Sequence, residues 1–154
     1  MSLKRLQHRV SNVRITSVGW LEKHKLEFHK KSNDGSAKCD AYYVGDPKYS
    51  VCGVLFEVTT SQLLLLDKYE GLGQGYERKV VPIITQNSET ISAVTYYATE
   101  IDSSMKPYQW YKEHVIRGAE EHNLPREYID KIIEIGTIPD PDAKRHQEEL
   151  IIYQ

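Results

Sequence analysis

Two cysteines in 154 residues provide no framework for a disulfide-stapled scaffold. Cys39 and Cys52 fall on candidate strands without Cys-x-x-Cys spacing and read as reduced thiols. Long apolar runs are missing too. The greasiest stretch, Leu63 to Leu66, is far short of a membrane span, and no membrane partner is expected. The first residues lack the apolar core of a secretory signal, which sets the expectation of a cytoplasmic protein. Excess charge of one sign is lacking as well: the net charge of −2 gives no pull toward nucleic acid. The six histidines form no His-x-x-x-His pair and have no companion cysteine pair, so no metal is expected. Without a Gly-x-Ser-x-Gly elbow, serine hydrolysis is disfavoured. No repeat, low-complexity tract or linker divides the chain, and residues 1–154 read as one domain.

What is present is an ordinary globular composition, 40% hydrophobic and 27% charged, long enough to bury a core. Leu3 to Val10 reads as an amphipathic helix, with Lys4, Arg5, Arg9 and Arg14 as a solvated basic face. Trp20 to Lys30 alternates as one strand, and Ser32-Asn33-Asp34-Gly35 turns the chain into a second, Ala37 to Val44. Tyr49 to Val58 is apolar enough to be a central strand. Thr59 and Gln62 have capping-box spacing and open a helix running to Glu70. Tyr76 to Thr85 and Thr90 to Thr99 form a hairpin. Pro107 starts a helix with Tyr108, Tyr111, Val115, Ile116 and Ala119 on one face. Asn123-Leu124-Pro125 begins another, with Tyr128, Ile129, Ile132 and Ile133 inward and Gly136 ending it. A short terminal segment, Lys144 to Tyr153, closes the chain. Strands in succession followed by helices predict an α+β domain whose antiparallel or mixed sheet curls into a small barrel.

The chemistry concentrates at Leu65-Leu66-Asp67-Lys68-Tyr69-Glu70-Gly71. Gly71 ends the helix, because glycine accepts the left-handed conformation of a helix terminus. Glu70 then occupies the last helical position, where the helix dipole disfavours its negative charge. A partly buried carboxylate nudged toward neutrality is a candidate general base and acid. The alternative is a solvated Glu on a frayed helix end. Gly71-Leu72-Gly73-Gln74-Gly75 follows a helix and leads into a strand, the reverse of phosphate-loop order, and reads as a flexible turn near a site. Among eleven tyrosines, most of them core or rim residues, Tyr76, Tyr96 and Tyr111 lie on elements expected to surround Glu70.

Three blocks carry a family resemblance: Val51-Cys52-Gly53-Val54-Leu55-Phe56-Glu57-Val58, Leu66-Asp67-Lys68-Tyr69-Glu70-Gly71 and Gly75-Tyr76-Glu77-Arg78. A fourth combines Tyr111 with the run from Gly118-Ala119 through Leu124-Pro125 to Tyr128. Together they resemble the γ-glutamylcyclotransferase family over nearly the whole chain. The resemblance implies a small mixed β-barrel flanked by helices, an enzyme without cofactor, and a homodimer. It also implies a reaction, in which small-molecule γ-glutamyl compounds cyclise to 5-oxoproline and release an amino acid or amine. Glu70 falls on the family's catalytic glutamate, Tyr111 on a substrate-holding tyrosine and Tyr76 on a pocket-lining one.

One departure stands out. The family opens with a strand ending in Tyr-Gly-Ser-Asn, which binds the γ-glutamyl group just before a helix resembling Met1-Ser2-Leu3-Lys4-Arg5-Leu6. This sequence begins at that helix. Two expectations follow: either the parent protein carries about ten further residues, the length of one strand and turn, or the barrel has an open edge along which copies associate. The competing functional reading is a catalytically impaired fold relative that binds a small amine or a protein partner.

Overall fold

The computed structural model describes residues 2–154, so Met1 lies outside the described residues. The elements run α1 (Leu3–Arg9), β1 (Arg14–Glu22), β2 (His24–Lys31), β3 (Ala37–Tyr43), β4 (Ser50–Glu57), α2 (Thr60–Glu70), β5 (Tyr76–Thr85) and β6 (Thr90–Ala98). Three helices follow, α3 (Gln109–Glu121), α4 (Arg126–Ile133) and α5 (Ala143–Leu150), with a terminal 3-10 turn at Ile151–Tyr153.

The strands form a four-stranded sheet in the order β4-β1-β5-β6 and a separate β2–β3 hairpin, all with antiparallel ladders. The sheet curls so that β6 comes to lie beside β3, and β4 beside β2. Lys30 bridges to Ile101, and the Lys31 N–H donates to Glu100 O at 2.9 Å. Asp40 Oδ1 accepts from Ala98 N–H at 3.0 Å, so a side chain stands in for a ladder bond where β3 meets β6. The result is the expected α+β barrel, realised as a curled half-barrel with helices against it. Two apolar clusters hold it. Phe28, Cys52, Ala119 and Ile132 join the strands to α3 and α4, and Leu6, Val10, Val13 and Leu66 join α1 to α2.

The α2 boundaries match the sequence expectation at both ends. Thr59 and Gln62 make the reciprocal capping box, and Gly71 terminates the helix at φ 73°. Elsewhere the structure corrects the reading. Trp20 to Lys30 is not one strand, because Lys23, at φ 60°, turns the chain between β1 and β2. The apolar strand β4 is an edge of its sheet rather than its centre, with Cys52 in the core against α3 and α4 and Phe56 against the α1–α2 cluster. Ile133, read as inward, is 42% exposed. Two members of the basic face are not solvated: the Arg5 and Arg9 side chains are only 15% and 21% exposed and each meets a carboxylate.

The terminal segment is clamped onto α1 and α3 by a buried histidine. His114 Nδ1 lies 2.7 Å from Tyr153 Oη and Nε2 lies 3.0 Å from Glu149 Oε2, which also accepts from Arg5 at 3.0 Å. Burial, reinforced by the Arg5 charge, pushes the imidazole below its ordinary value against the pull of Glu149. The ring is therefore neutral, accepting the Tyr153 hydroxyl proton at Nδ1 and donating from Nε2. Glu149 is held low by His114 and Arg5 although burial pushes it up. Both groups bind protons less readily in the fold than in the unfolded chain, so stability is full above the unfolded values and is lost as pH falls. The melting temperature is expected to decline from about pH 6.5, where an unfolded imidazole begins to protonate, and to fall further below the carboxylate range. His114→Gln should flatten the upper part of that decline. A wild-type profile that stays flat down to about pH 4.5, or an unchanged slope in the variant, would contradict this account.

Candidate active site

The Asp67-Lys68-Tyr69-Glu70-Gly71 segment works as a docked helix end. Asp67 and Glu70 lie three residues apart and so share one face of α2. Asp67 is buried, accepting from Arg78 Nη1 and from the Tyr96 hydroxyl, both at 2.8 Å. Arg78 belongs to β5 and Tyr96 to β6, paired opposite each other in the ladder, so one carboxylate fastens the helix terminus to both strands. Glu70 is thereby held at a fixed place beside the sheet. Its Oε1 accepts from Arg9 Nη1 at 2.9 Å, and the Arg9 guanidinium lies 5.7 Å from the centroid of the Tyr69 ring.

The loop that follows is tighter than its glycine content suggests. Gly71 and Gly75 both have positive φ, and Gly75 O accepts from Thr99 N–H at 3.0 Å. The glycines serve a compact left-handed path between α2 and β5 rather than mobility.

Tyr76 and Tyr111 come together on one residue, Cys39 of β3. The Tyr76 hydroxyl donates to Cys39 O at 2.7 Å, and Tyr111 Oη accepts from Cys39 N–H at 3.1 Å. Tyr111 Oη also lies 3.0 Å from Cys39 Sγ, a second hydrogen bond in which either group can donate. Burial pushes both phenols well above their usual value, and nearby Cys39 adds to the shift, so both remain neutral. Tyr111 also packs edge-on against Phe28, with ring centroids 6.2 Å apart. Tyr76 and Tyr111 thus meet at Cys39, Tyr96 meets Asp67, and Glu70 meets Arg9. A cleft of about 370 Å³ opens beside Asp67, Lys68, Gly71, Leu72 and Gln74, next to Glu70 rather than over it.

Sequence reasoning missed Arg9 and Cys39. Arg9 was assigned to a solvated face, and its partner lies 61 positions away. Cys39 offers its backbone, which carries no sequence signal. The spacing of Arg5 and Arg9, one helical turn apart, was the only available hint.

The AIG2-like family profile matches residues 50–132, the span from β4 through α2 and the β5–β6 hairpin into α4. The chain belongs to the AIG2-like family. It is 32% identical over 123 residues to gamma-glutamylcyclotransferase of Bos taurus, a match covering 75% of this chain and 63% of that protein. The human gamma-glutamylcyclotransferase is 29% identical over 133 residues, 84% of this chain and 70% of the relative. A solved structure described as gamma-glutamyl cyclotransferase superposes with a TM-score of 0.82 at 26% identity, covering 99% of this chain and 92% of its own. The chain therefore spans just under two thirds of the bovine relative's length, while the AIG2-like fold itself is γ-glutamylcyclotransferase-like over nearly all of this chain. No helix among the described residues is long and apolar enough to cross a membrane.

Proposed function

We infer that this protein is a cofactor-independent γ-glutamylcyclotransferase, converting γ-glutamyl amino acids or amines to 5-oxoproline with release of the amino acid or amine. The observation that carries the reading is Glu70, a carboxylate only 18% exposed, at the end of a helix that the neighbouring Asp67 fastens to β5 and β6. The names of the two mammalian relatives support the reaction.

In this reaction the substrate's own α-amine is the nucleophile, and as an ammonium it cannot attack. Glu70 takes that proton; the freed amine adds to the γ-carbonyl, closing the five-membered ring. The amide C–N bond then breaks: the proton held by Glu70 passes to the departing amine, and the ring nitrogen gives up its second proton to the same amine, which leaves as an ammonium while Glu70 returns to its carboxylate form. Because the attack is intramolecular, holding the substrate folded supplies much of the acceleration. Tyr111 and Tyr76 are assigned to substrate binding, exchanging Cys39 for the γ-glutamyl group. A cytoplasmic location suits the two free thiols, and the resemblance carries homodimer assembly into the same proposal.

The competing reading, a relative that binds a small amine without turning it over, is favoured by one observation: both tyrosine hydroxyls are already paired within the protein. Incubation with γ-glutamyl dipeptides and chromatographic detection of 5-oxoproline separates the two. Release of 5-oxoproline above the uncatalysed rate is expected; binding without release would establish the alternative.

A further inference from the structure

Helix α2 has little apolar grip on the domain. Of its eleven residues only Leu66 and Asp67 are buried, while Leu64 and Leu65 are 56% and 40% exposed. One of its two buried side chains is therefore a carboxylate. An aliphatic side chain in that place would bury apolar surface and need no hydrogen-bond partner. It would also tolerate small slides and rotations of the helix, because apolar burial has no direction. A buried carboxylate accepts only the register in which its oxygens are met.

Asp67 is met twice, by partners that are themselves in register. Arg78 and Tyr96 pair across the β5–β6 ladder, and each donates to a different Asp67 oxygen at 2.8 Å. Burial and the bond to Asp67 push the Tyr96 phenol above its ordinary value, so the hydroxyl keeps its proton and remains the donor. The Arg78 side chain is 36% exposed, whereas the Tyr96 ring packs on the cluster of Leu6, Val10, Val13 and Leu66. Asp67 borders the cleft, but both of its oxygens are taken within the protein. Its carbonyl also accepts from Leu72 N–H at 2.9 Å, so the same residue ties down the turn that ends the helix. Glu70 lies between the clamp and that turn.

We propose that Asp67 and Tyr96 are positioning residues for the cyclisation: their directional clamp fixes the register of α2, and with it the place of the Glu70 carboxylate three positions further along the same face. The inference rests on the cyclotransferase reading and gives Tyr96 a task inside the protein rather than at the substrate. Glu70 has to reach an ammonium proton and then the departing nitrogen. A displacement of about 1 Å between reacting groups can cost on the order of 100-fold in rate. What the clamp supplies is position, and the stability of the domain does not depend on it.

The test separates activity from stability. In the double variant Asp67→Leu with Tyr96→Phe neither position leaves a buried polar group without a partner, and the half-exposed Arg78 can turn to solvent. Replacing both members of a buried polar pair by apolar groups is commonly neutral or stabilising, so Tm should stay at or above the wild-type value. The kcat for release of 5-oxoproline from a γ-glutamyl dipeptide should nonetheless fall by roughly 10- to 100-fold, with KM little changed. The Leu72 amide, which donates to Asp67 O, should lose protection in hydrogen exchange as the helix end gains freedom. Tyr96→Phe alone should lower kcat in the same direction by a smaller factor. A folded double variant with wild-type kcat, a loss confined to KM, unchanged Leu72 protection, or a fall in Tm that accounts for the lost rate would each overturn the positioning role and leave the cyclotransferase reading intact. Absence of 5-oxoproline release from the wild type would overturn both.

Discussion

Glu70→Gln is expected to abolish 5-oxoproline release while leaving the fold intact. Glutamine matches the shape of glutamate and keeps an oxygen to accept from Arg9, so the contact at 2.9 Å between α1 and α2 survives. The Asp67 anchor to Arg78 and Tyr96 is untouched, and the helix terminus should hold its place. What disappears is basicity. An amide cannot take the ammonium proton, and without that step the nucleophile stays unavailable. A positioned acid–base group contributes typically about 10²- to 10⁴-fold, so the fall in kcat should be at least about a hundredfold. Glu77→Gln, on the exposed face of β5, is the matched control and should retain wild-type rates. Circular dichroism and melting curves check that the variant is folded. Activity of Glu70→Gln within tenfold of wild type would remove Glu70 from the proton-transfer role.

The largest stability effect is expected at Gly19. It sits in β1 where the two halves of the sheet meet, opposite Gly53 of β4 on one side and Thr85 of β5 on the other. The β1–β5 ladder consists of the pairs Gly19–Thr85 and Trp20–Ile84. A Cβ at position 19 would collide with Ile83 Cγ2 and stand 3.0 Å from Ile84 O, a backbone atom with no rotamer to yield. Gly19→Val therefore wedges apart the seam that joins β4–β1 to β5–β6. Overpacking of this kind costs about 1–3 kcal/mol, or a fall of roughly 3–10 °C in Tm for a domain of this size. Gly53 provides the contrast, since a Cβ there meets nothing within 4 Å. Gly53→Val should be neutral or slightly stabilising, because it restricts the unfolded chain. Similar melting temperatures for the two valine variants would show that the β1–β5 seam is not close-packed.

The difference between what the sequence foretold and what it hid follows the range of the interactions. Helix α2 was legible because its signals are local: Thr59 and Gln62 satisfy each other's backbone groups, and Gly71 supplies the left-handed terminus. The β5–β6 hairpin was legible for the same reason, two β-rich runs around a polar turn. Strand β1 was not. Arg14 to Trp20 includes Thr16, Ser17 and Gly19, and this stretch is extended because β4 pairs along its length, which no local pattern announces. The turn at Lys23 was invisible because a lysine with positive φ carries no turn signature. The place of Glu70 at the last position of α2 was legible from the glycine that ends the helix. Its setting was not legible, because the Arg9 counter-ion and the Asp67 anchors come from other elements.

The pairing of Tyr76 and Tyr111 on Cys39 bears on how the molecule breathes. The β2–β3 hairpin has its own ladder and, among the described residues, no continuous ladder to the four-stranded sheet. It is fastened by separate bonds, among them the Lys30–Ile101 bridge, Lys31 N–H to Glu100 O, Asp102 N–H to His29 O, Asp40 to Ala98 and the two phenols, one from β5 and one from α3, and by Phe28 in the core against α3 and α4. A local opening of the hairpin would have to break these bonds and withdraw Phe28 from the core. When the hairpin lifts, the two hydroxyls are released in the same event, since they hold opposite sides of one peptide residue. The Cys39 amide would therefore report such an opening in hydrogen exchange, since its N–H donates to Tyr111 Oη.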